Sequence, residues 1–186
     1  QMHNGQFAIL YRTNAQSRAM EDALRKRDIP YRIYGGLSFY QRKEIKDLLA
    51  YFRVIINPND EEALKRIINY PTRGIGKTTL DQLTILASEH NKSWFEIMEV
   101  AHQYGLKSAN LLTDFTLMIR SFQTMLMKPA YEVAMHVAKQ SGLLKSLYDD
   151  KTVEGIARYE NIEELLNGIK EFSIEEAVDD DAVLRG

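Results

Sequence analysis

The sequence predicts a mainly α-helical fold, preceded by a short strand–helix–strand stub of an α/β domain. Three observations lead to this fold class. From Gln41 onward, apolar residues recur at three- and four-residue spacing, which is typical of amphipathic helices. Two short apolar runs before that point, FAILYR (7–12) and YRIY (31–34), are typical of buried strands. The Gly35-Gly36 pair after the second run marks a turn, where the strand-forming part ends.

Start and stop signals support the first helices. Thr13 and Gln16 fit a capping box that opens the helix of the stub. The long amphipathic helix after the stub ends at Asn57-Pro58, because a helix stops at or before the residue that precedes proline. Asn59 or Asp60 then supplies an N-cap for the next helix.

Further helical segments follow beyond Lys77, and the pattern predicts them near residues 78–90, 93–103, 110–127, 130–141 and 153–171. The acidic tail at 175–186 is predicted to be a loop or a frayed end. Two strands cannot cover both faces of a parallel sheet, so we expect the chain to be an excerpt of a longer protein. The expected division is a stub at 1–35 and a helical domain at 36–186.

Composition excludes several kinds of site. The 186 residues carry a formal net charge of -2, so a contact with nucleic acid requires a local basic patch. The chain has no cysteine, and its 4 histidines lie at no metal-ligand spacing, so we expect no metal site. No apolar run approaches the roughly 20 residues of a membrane span, and we expect no membrane partner and a cytoplasmic location.

The stretch NYPTRGIGKTTLDQL (69–83) contains Gly76-Lys77-Thr78, which matches the end of a nucleotide-binding P-loop. Pro71 stands where the P-loop requires its first glycine, and proline lacks both the backbone donor and the freedom in φ. The preceding residues have helical spacing, whereas a P-loop follows a buried strand. The stretch is therefore not predicted to bind a nucleotide.

A helix–turn–helix remains as the interpretation of this stretch. Gly74-Ile75-Gly76 can form the turn, with Ile75 directed toward the core. The amides of Gly76, Lys77 and Thr78 would then lie at the positive end of the second helix, where anions bind. Such a helix-hairpin-helix holds a phosphate of duplex DNA without reading bases. An ordinary αα-hairpin, in which the glycines only form the corner, is an equally open alternative at this point.

Four blocks of sequence resemble the UvrD/PcrA/Rep family of superfamily 1 DNA helicases. They are AILYRTNAQSR (8–18), YGGLSFYQRKEIKDLLAYFRVIINPND (34–60), PTRGIG (71–76) and RYENIEELL (158–166). The resemblance implies that 1–35 is the end of the RecA-like subdomain 2A and that 36–186 is most of the helical subdomain 2B.

The resemblance also implies roles for individual residues. Arg12 and Asn14 are expected to contact single-stranded DNA, although Asn14 also fits a helix cap. The expected contacts to duplex DNA are Arg73, Gly74, Ile75, Gly76, Lys77 and Thr78. Arg18 is expected to be solvated or ion-paired, and 42–47 to pair helix surfaces at the junction of the subdomains. Aromatic residues at helical spacing are expected in the core: Tyr51, Phe52, Trp94 and Phe95.

The resulting hypothesis is the DNA-binding and regulatory part of an ATP-dependent helicase. ATP and Mg²⁺ would serve the parent enzyme, while this chain has no catalytic residue and no cofactor of its own. The expected partners are a junction of single-stranded and duplex DNA, bound without sequence preference, the other helicase subdomains and repair proteins. Two alternatives remain, a stand-alone helix-hairpin-helix module and a helical protein-interaction domain without a DNA role.

Overall fold

The computed structural model describes the backbone of residues 3–183 and the side chains of His3 and residues 5–174. Its described part is mainly helical, as predicted. The α-helices in it are α1 (Ser17–Arg25), α2 (Lys43–Ile56), α3 (Glu61–Ile67), α4 (Lys77–His90), α5 (Trp94–Glu99), α6 (Ala109–Gln123), α7 (Ala130–Gln140), α8 (Leu143–Asp149) and α9 (Val153–Val183). Short 3-10 turns lie at Asn4–Gln6, Asn14–Gln16, Phe39–Gln41 and Ala101–Tyr104.

Helix α2 lies at the centre of the helical body and contacts α3, α6, α7 and α9. Its buried residues follow helical spacing, so one face of the helix enters the core along its whole length: Ile45, Leu48, Tyr51, Val54 and Ile55. The predicted core positions Trp94 and Phe95 are also buried, and Phe52 packs against the core from a half-buried position. The spacing of apolar residues therefore identified the core-facing sides of these helices.

The two predicted strands do not form within residues 3–183, where no strand is found. Segments 7–12 and 31–34 run as chain without regular structure, and large apolar side chains of the first are exposed, Leu10 at 92%. A strand needs a neighbour to satisfy its amides and carbonyls, and the described chain supplies none to either segment. The described residues therefore leave both apolar runs without a sheet partner.

The acidic tail also differs from its prediction. Helix α9 continues to Val183, so most of the segment predicted as a loop is helical, and 184–186 lie outside the described residues. The sequence from Ile169 to Val183 contains neither glycine nor proline, so no residue in it breaks the helix. Within the described residues, no helix is long and apolar enough to span a membrane.

Arg18 attaches the N-terminal segment to the helical body. Its guanidinium is paired with Glu164 at 2.8 Å and Glu171 at 3.0 Å on α9, and with Asp22 at 3.2 Å on its own helix. Burial alone would lower the pKa of Arg18, but the bonds to the two glutamates raise the pKa above its ordinary value. A Cβ at Gly168 would lie 2.5 Å from Nη1 of Arg18, so the glycine leaves the space that the arginine fills. The ion-paired interpretation of Arg18 is confirmed, although the residue is buried.

Glu21 makes a second attachment, between α1 and the chain before α2. Its carboxylate accepts hydrogen bonds from the Phe39 amide at 2.8 Å, from the Ser38 hydroxyl and from the Tyr31 hydroxyl at 3.1 Å. Burial would raise the pKa of Glu21, but these donors outweigh it and hold the pKa below its ordinary value. No separation between the stub and the helical body is visible here, and the division at 35 and 36 stays a prediction.

The 42–47 stretch pairs helix surfaces within the helical body, and its predicted place at the junction of the subdomains stays a prediction. Asn161 of α9 donates to buried Glu44 at 2.6 Å, and Arg66 near the end of α3 donates to buried Asp47 at 2.7 Å. These polar side chains are buried with partners on other helices, so they fix how α3 and α9 lie against α2.

We expect the amides of Ala8, Ile9 and Leu10 to exchange with solvent at nearly the rate of an unfolded peptide, because no partner strand accepts their hydrogen bonds. Hydrogen exchange of the 186-residue chain, confirmed to be monomeric, checks this, with the amides of α2 as the protected internal reference. Slow exchange at Ala8–Leu10 in the monomer would contradict the description of this segment as unpaired.

Candidate nucleic-acid interface

Residues 68–76 connect α3 to α4 and form the turn that the sequence singled out. Gly74 has φ +79, in the left-handed region that favours glycine, whereas Gly76 has φ -91 and ψ 179, which any residue adopts. Ile75 between them is 1% exposed and belongs to the core, as predicted. The isoleucine thus anchors the turn while both glycines are exposed to solvent.

The side chain of Asn69 uses two amides of this turn. Its Oδ1 accepts hydrogen bonds from the amide of Arg73 at 2.8 Å and from the amide of Ile75 at 3.1 Å. Sequence reasoning did not identify Asn69, although asparagine is a residue that commonly bonds to the backbone of its own turn. By closing the turn from inside, Asn69 determines which amides remain for a ligand.

The remaining amides belong to the start of α4. Among the hydrogen bonds of residues 3–183, the amides of Gly76, Lys77 and Thr78 donate to no protein group, as expected for the first turn of a helix. No side chain in the described part of the chain caps this end, and all three residues are exposed. The 14 residues of α4 direct the positive end of their dipole to the same place. The arrangement can hold an anionic oxygen of a phosphate.

Arg73 points into the protein rather than toward this anion site. Its guanidinium donates to the carbonyls of Ile67 at 3.1 Å, Pro71 at 2.9 Å and Ser141 at 2.7 Å, and to the hydroxyl of Tyr51 at 2.7 Å. The arginine therefore joins the end of α3, the turn, α2 and the residue after α7. Sequence reasoning placed Arg73 beside the glycines correctly but could not show that its charge is used internally.

Tyr51 completes this arrangement from α2. Its hydroxyl donates to the Tyr70 carbonyl at 2.6 Å and accepts from Arg73. Burial raises the pKa of Tyr51 to about 12, although the positive charge of Arg73 acts in the opposite direction. The hydroxyl therefore keeps its proton at neutral pH and remains a donor to the turn.

The geometry does not fit a P-loop. The residues before the turn form α3 rather than a strand, as predicted. A P-loop surrounds phosphates with successive loop amides, but Asn69 already occupies those of Arg73 and Ile75. The described residues also contain no cluster of three or more histidine, aspartate or glutamate side chains that could hold a metal ion.

Arg12 and Asn14 lie on the N-terminal segment, where both side chains are exposed. Asn14 is the first residue of a 3-10 turn whose N-cap is Thr13, so the cap position predicted as an alternative for Asn14 belongs to its neighbour. Gln16 accepts from the amide of Thr13 at 3.2 Å, the contact that the predicted capping box requires of this glutamine, and also from the amide of Arg12 at 2.9 Å. No contact among the described residues joins Arg12 or Asn14 to the turn at 68–76.

Comparison with known proteins identifies the family. The profile of the UvrD-like helicase C-terminal domain matches residues 1–184. The chain is 43% identical over 169 residues to DNA helicase II of Haemophilus influenzae, which covers 89% of this chain and 23% of that protein. It is 40% identical over 177 residues to DNA helicase II of Escherichia coli, covering 93% and 25%. It is 39% identical over 168 residues to the ATP-dependent DNA helicase PcrA of Bacillus subtilis, covering 89% and 23%.

The chain therefore spans about a quarter of the length of these relatives. The match to the family profile covers nearly all of its 186 residues. The protein belongs to the family of UvrD-like helicase C-terminal domains.

Proposed function

We propose that this chain is the DNA-binding and regulatory part of an ATP-dependent DNA helicase, and that it holds duplex DNA at the turn between α3 and α4. The observation that carries the proposal is the exposed start of α4, where three neighbouring amides have neither a cap nor an acceptor among the described residues. Related proteins are DNA helicases, for which a contact to the phosphate backbone without base reading suits movement along any sequence. An ordinary helical corner accounts for Gly74, whose φ favours glycine, but it does not require a glycine at Gly76, whose backbone suits any residue.

In this proposal, some residues of the turn contact the phosphate and others hold the turn in place. Amides of Gly74, Gly76, Lys77 and Thr78 face the phosphate, and the Lys77 side chain adds a positive charge to it. Ile75 supports the turn from the core, and its amide is used by Asn69. Arg73 acts as a positioning residue, because its two terminal nitrogens already donate to four internal acceptors.

ATP and Mg²⁺ are cofactors of the parent enzyme in this proposal, and the residues that bind them lie outside this chain. The division into a stub at 1–35 and a helical subdomain at 36–186 is likewise part of this proposal. Segments 7–12 and 31–34 would pair with strands of the parent, so the amides of Ala8–Leu10 should become protected in the full-length protein.

The other helicase subdomains are the partners that the exposed apolar surface favours. A groove of about 1060 Å³ lies between α1, α2, α7 and α9, and apolar side chains form most of its lining. Ile56 in this groove is 75% exposed and Phe172 is 54% exposed. Exposed apolar surfaces of this size commonly mark protein–protein contacts or ligand-binding grooves, and we assign this one to a neighbouring helicase subdomain. No particular surface of the described residues points to a repair protein. We therefore propose contacts to repair proteins for the full-length enzyme only.

Gly76→Val tests the phosphate contact without straining the fold. The backbone at Gly76 suits any residue and a Cβ there meets no atom within 4 Å, but valine would cover the amides at the start of α4. We expect duplex affinity to fall about tenfold, the loss of roughly one charge-assisted hydrogen bond. Fluorescence anisotropy on a duplex with a single-stranded tail measures it, and circular dichroism checks the folding.

Gly36→Val is the matched control, because Gly36 is also exposed and a Cβ there also meets no atom within 4 Å. Equal affinity of the folded Gly76→Val and Gly36→Val proteins would show that the glycine turn is only a corner.

Arg73→Lys and Lys77→Ala should separate support of the turn from contact with DNA. A lysine cannot reach the four acceptors of Arg73, so we expect the free energy of unfolding to fall by about 1–3 kcal/mol. Lys77→Ala should leave stability unchanged and lower the slope of log affinity against log salt by about 1 unit or less. Urea unfolding and anisotropy at several salt concentrations measure these effects. If Arg73→Lys kept full stability and lowered only the salt slope, Arg73 would be a direct contact.

Arg12→Ala in the full-length protein tests the contact proposed for Arg12 and Asn14. We expect affinity for single-stranded DNA to fall several-fold, because arginine both stacks on bases and donates to phosphate. ATP turnover at saturating DNA should stay unchanged. Arg32→Ala, at another exposed position of the N-terminal segment, is the control. Normal DNA binding combined with lost ATP turnover would assign Arg12 to the nucleotide instead.

A further inference from the structure

Arg42 is a buried arginine whose hydrogen bonds are incomplete within the described residues. It directly precedes α2 and is 7% exposed. Among these residues only its Nη2 donates, to the Ser17 hydroxyl at 3.4 Å and to the Leu37 carbonyl at 3.3 Å, and both distances exceed the usual range. Its buried Nε has no partner in the same part of the chain. A guanidinium taken out of water is unfavourable unless acceptors replace the lost water.

Two other arginines of the chain show what such a group requires. Arg18 donates to three carboxylates at 2.8 to 3.2 Å, and Arg73 donates to four acceptors at 2.7 to 3.1 Å. Burial disfavours the charge of both Arg18 and Arg42, but the bonds to glutamates raise the pKa of Arg18, whereas burial lowers the pKa of Arg42. Arg42 thus differs from both in lacking close acceptors among the described residues.

Arg42 lacks acceptors rather than negative charge. Glu44 and Glu21 are buried carboxylates that act on it electrostatically. Neither accepts a hydrogen bond from Arg42, since Glu44 accepts from Asn161 at 2.6 Å and Glu21 accepts from the chain before α2. These two charges would repel a further anion, such as a DNA phosphate or a third carboxylate. Neutral main-chain carbonyls suit the position better, and Arg73 already uses three of them.

The exposed N-terminal segment lies next to Arg42. Leu37, whose carbonyl accepts from Arg42, has a side chain that is 58% exposed. Tyr11, at the end of the first predicted strand, lies within electrostatic range of Arg42. A part of the parent that pairs with segments 7–12 and 31–34 would therefore also approach Arg42.

We propose that Arg42 is a docking point for a neighbouring helicase subdomain, whose main-chain carbonyls complete its hydrogen bonds. This inference rests on the proposed function, because it assumes that other helicase subdomains pack against this chain. A strand presents a row of carbonyls along its edge, so a sheet that continues from 7–12 would supply such acceptors. The planar guanidinium can donate to two of them at once, through Nε and a terminal nitrogen.

Arg42→Lys tests this inference, because lysine keeps the positive charge beside Glu44 but lacks the Nε donor and the planar fork. In the 186-residue chain we expect the midpoint of urea unfolding to stay nearly unchanged, since only two long hydrogen bonds are lost. Arg18→Lys is the matched control, since it changes a buried arginine that has close partners. It should lower the midpoint clearly in the same chain.

The second arm uses the full-length protein without DNA, in which hydrogen exchange is followed by mass spectrometry at the amides of 7–12. We expect Arg42→Lys to speed this exchange about tenfold, which corresponds to the loss of one charge-assisted hydrogen bond. Arg32→Lys, at an exposed position of the same segment, should leave the exchange unchanged.

Two results would overturn the docking role of Arg42 alone. The first is a loss of stability in the 186-residue chain as large as that of Arg18→Lys, because Arg42 would then be satisfied within this chain. The second is unchanged exchange in full-length Arg42→Lys, as expected if water alone completes the guanidinium. If that variant instead lost affinity for single-stranded DNA, Arg42 would be a phosphate contact. If the wild-type full-length protein left 7–12 unprotected, the packing that the proposed function assumes would fail as well.

Discussion

The guanidinium of Arg73 is the constraint on which the candidate interface depends. A charged group taken partly out of water must be satisfied by acceptors, and Arg73 meets this need with three carbonyls and one hydroxyl from different parts of the fold. The same bonds fix the end of α3, the turn and the Ser141 segment relative to α2. Asn69 and buried Ile75 then determine the path of the chain up to Gly76. The exposed start of α4 is therefore held in place by these internal side chains rather than by a ligand.

A turn held by internal groups suits a ligand of which different segments are bound in succession. The phosphate backbone has the same chemistry at each nucleotide, so amides and lysines can hold any sequence and release it again. Attachment of the N-terminal segment through Arg18 and Glu21 adds a mechanical link between α1 and the body that carries the turn. In the proposed parent enzyme, this link joins the part near single-stranded DNA to the part near the duplex.

The spacing of residues in the sequence predicted the helices and the buried isoleucine of the turn at 68–76. Apolar spacing found the buried face of α2, and the alternation Gly-Ile-Gly indicated the inward isoleucine. The role of Arg73 could not be predicted, because one of its acceptors lies on Ser141, far away in the sequence. The two strands, in contrast, were predicted but do not form. Their apolar pattern is typical of strands, but a strand exists only where a neighbour is present, and the described residues supply none. Contacts to DNA stay a prediction, since they depend on a partner.

The central claim is that backbone amides at the start of α4 bind a phosphate of duplex DNA. A titration of the isotopically labelled chain with duplex DNA, followed by amide nuclear magnetic resonance, tests it most directly. The account predicts that the largest shifts appear at Gly74, Gly76, Lys77 and Thr78, with much smaller changes at Arg73 and Ile75, whose amides already bond to Asn69. Large shifts confined to the 7–14 segment or to the groove beside Ile56, with none at the turn, would contradict it.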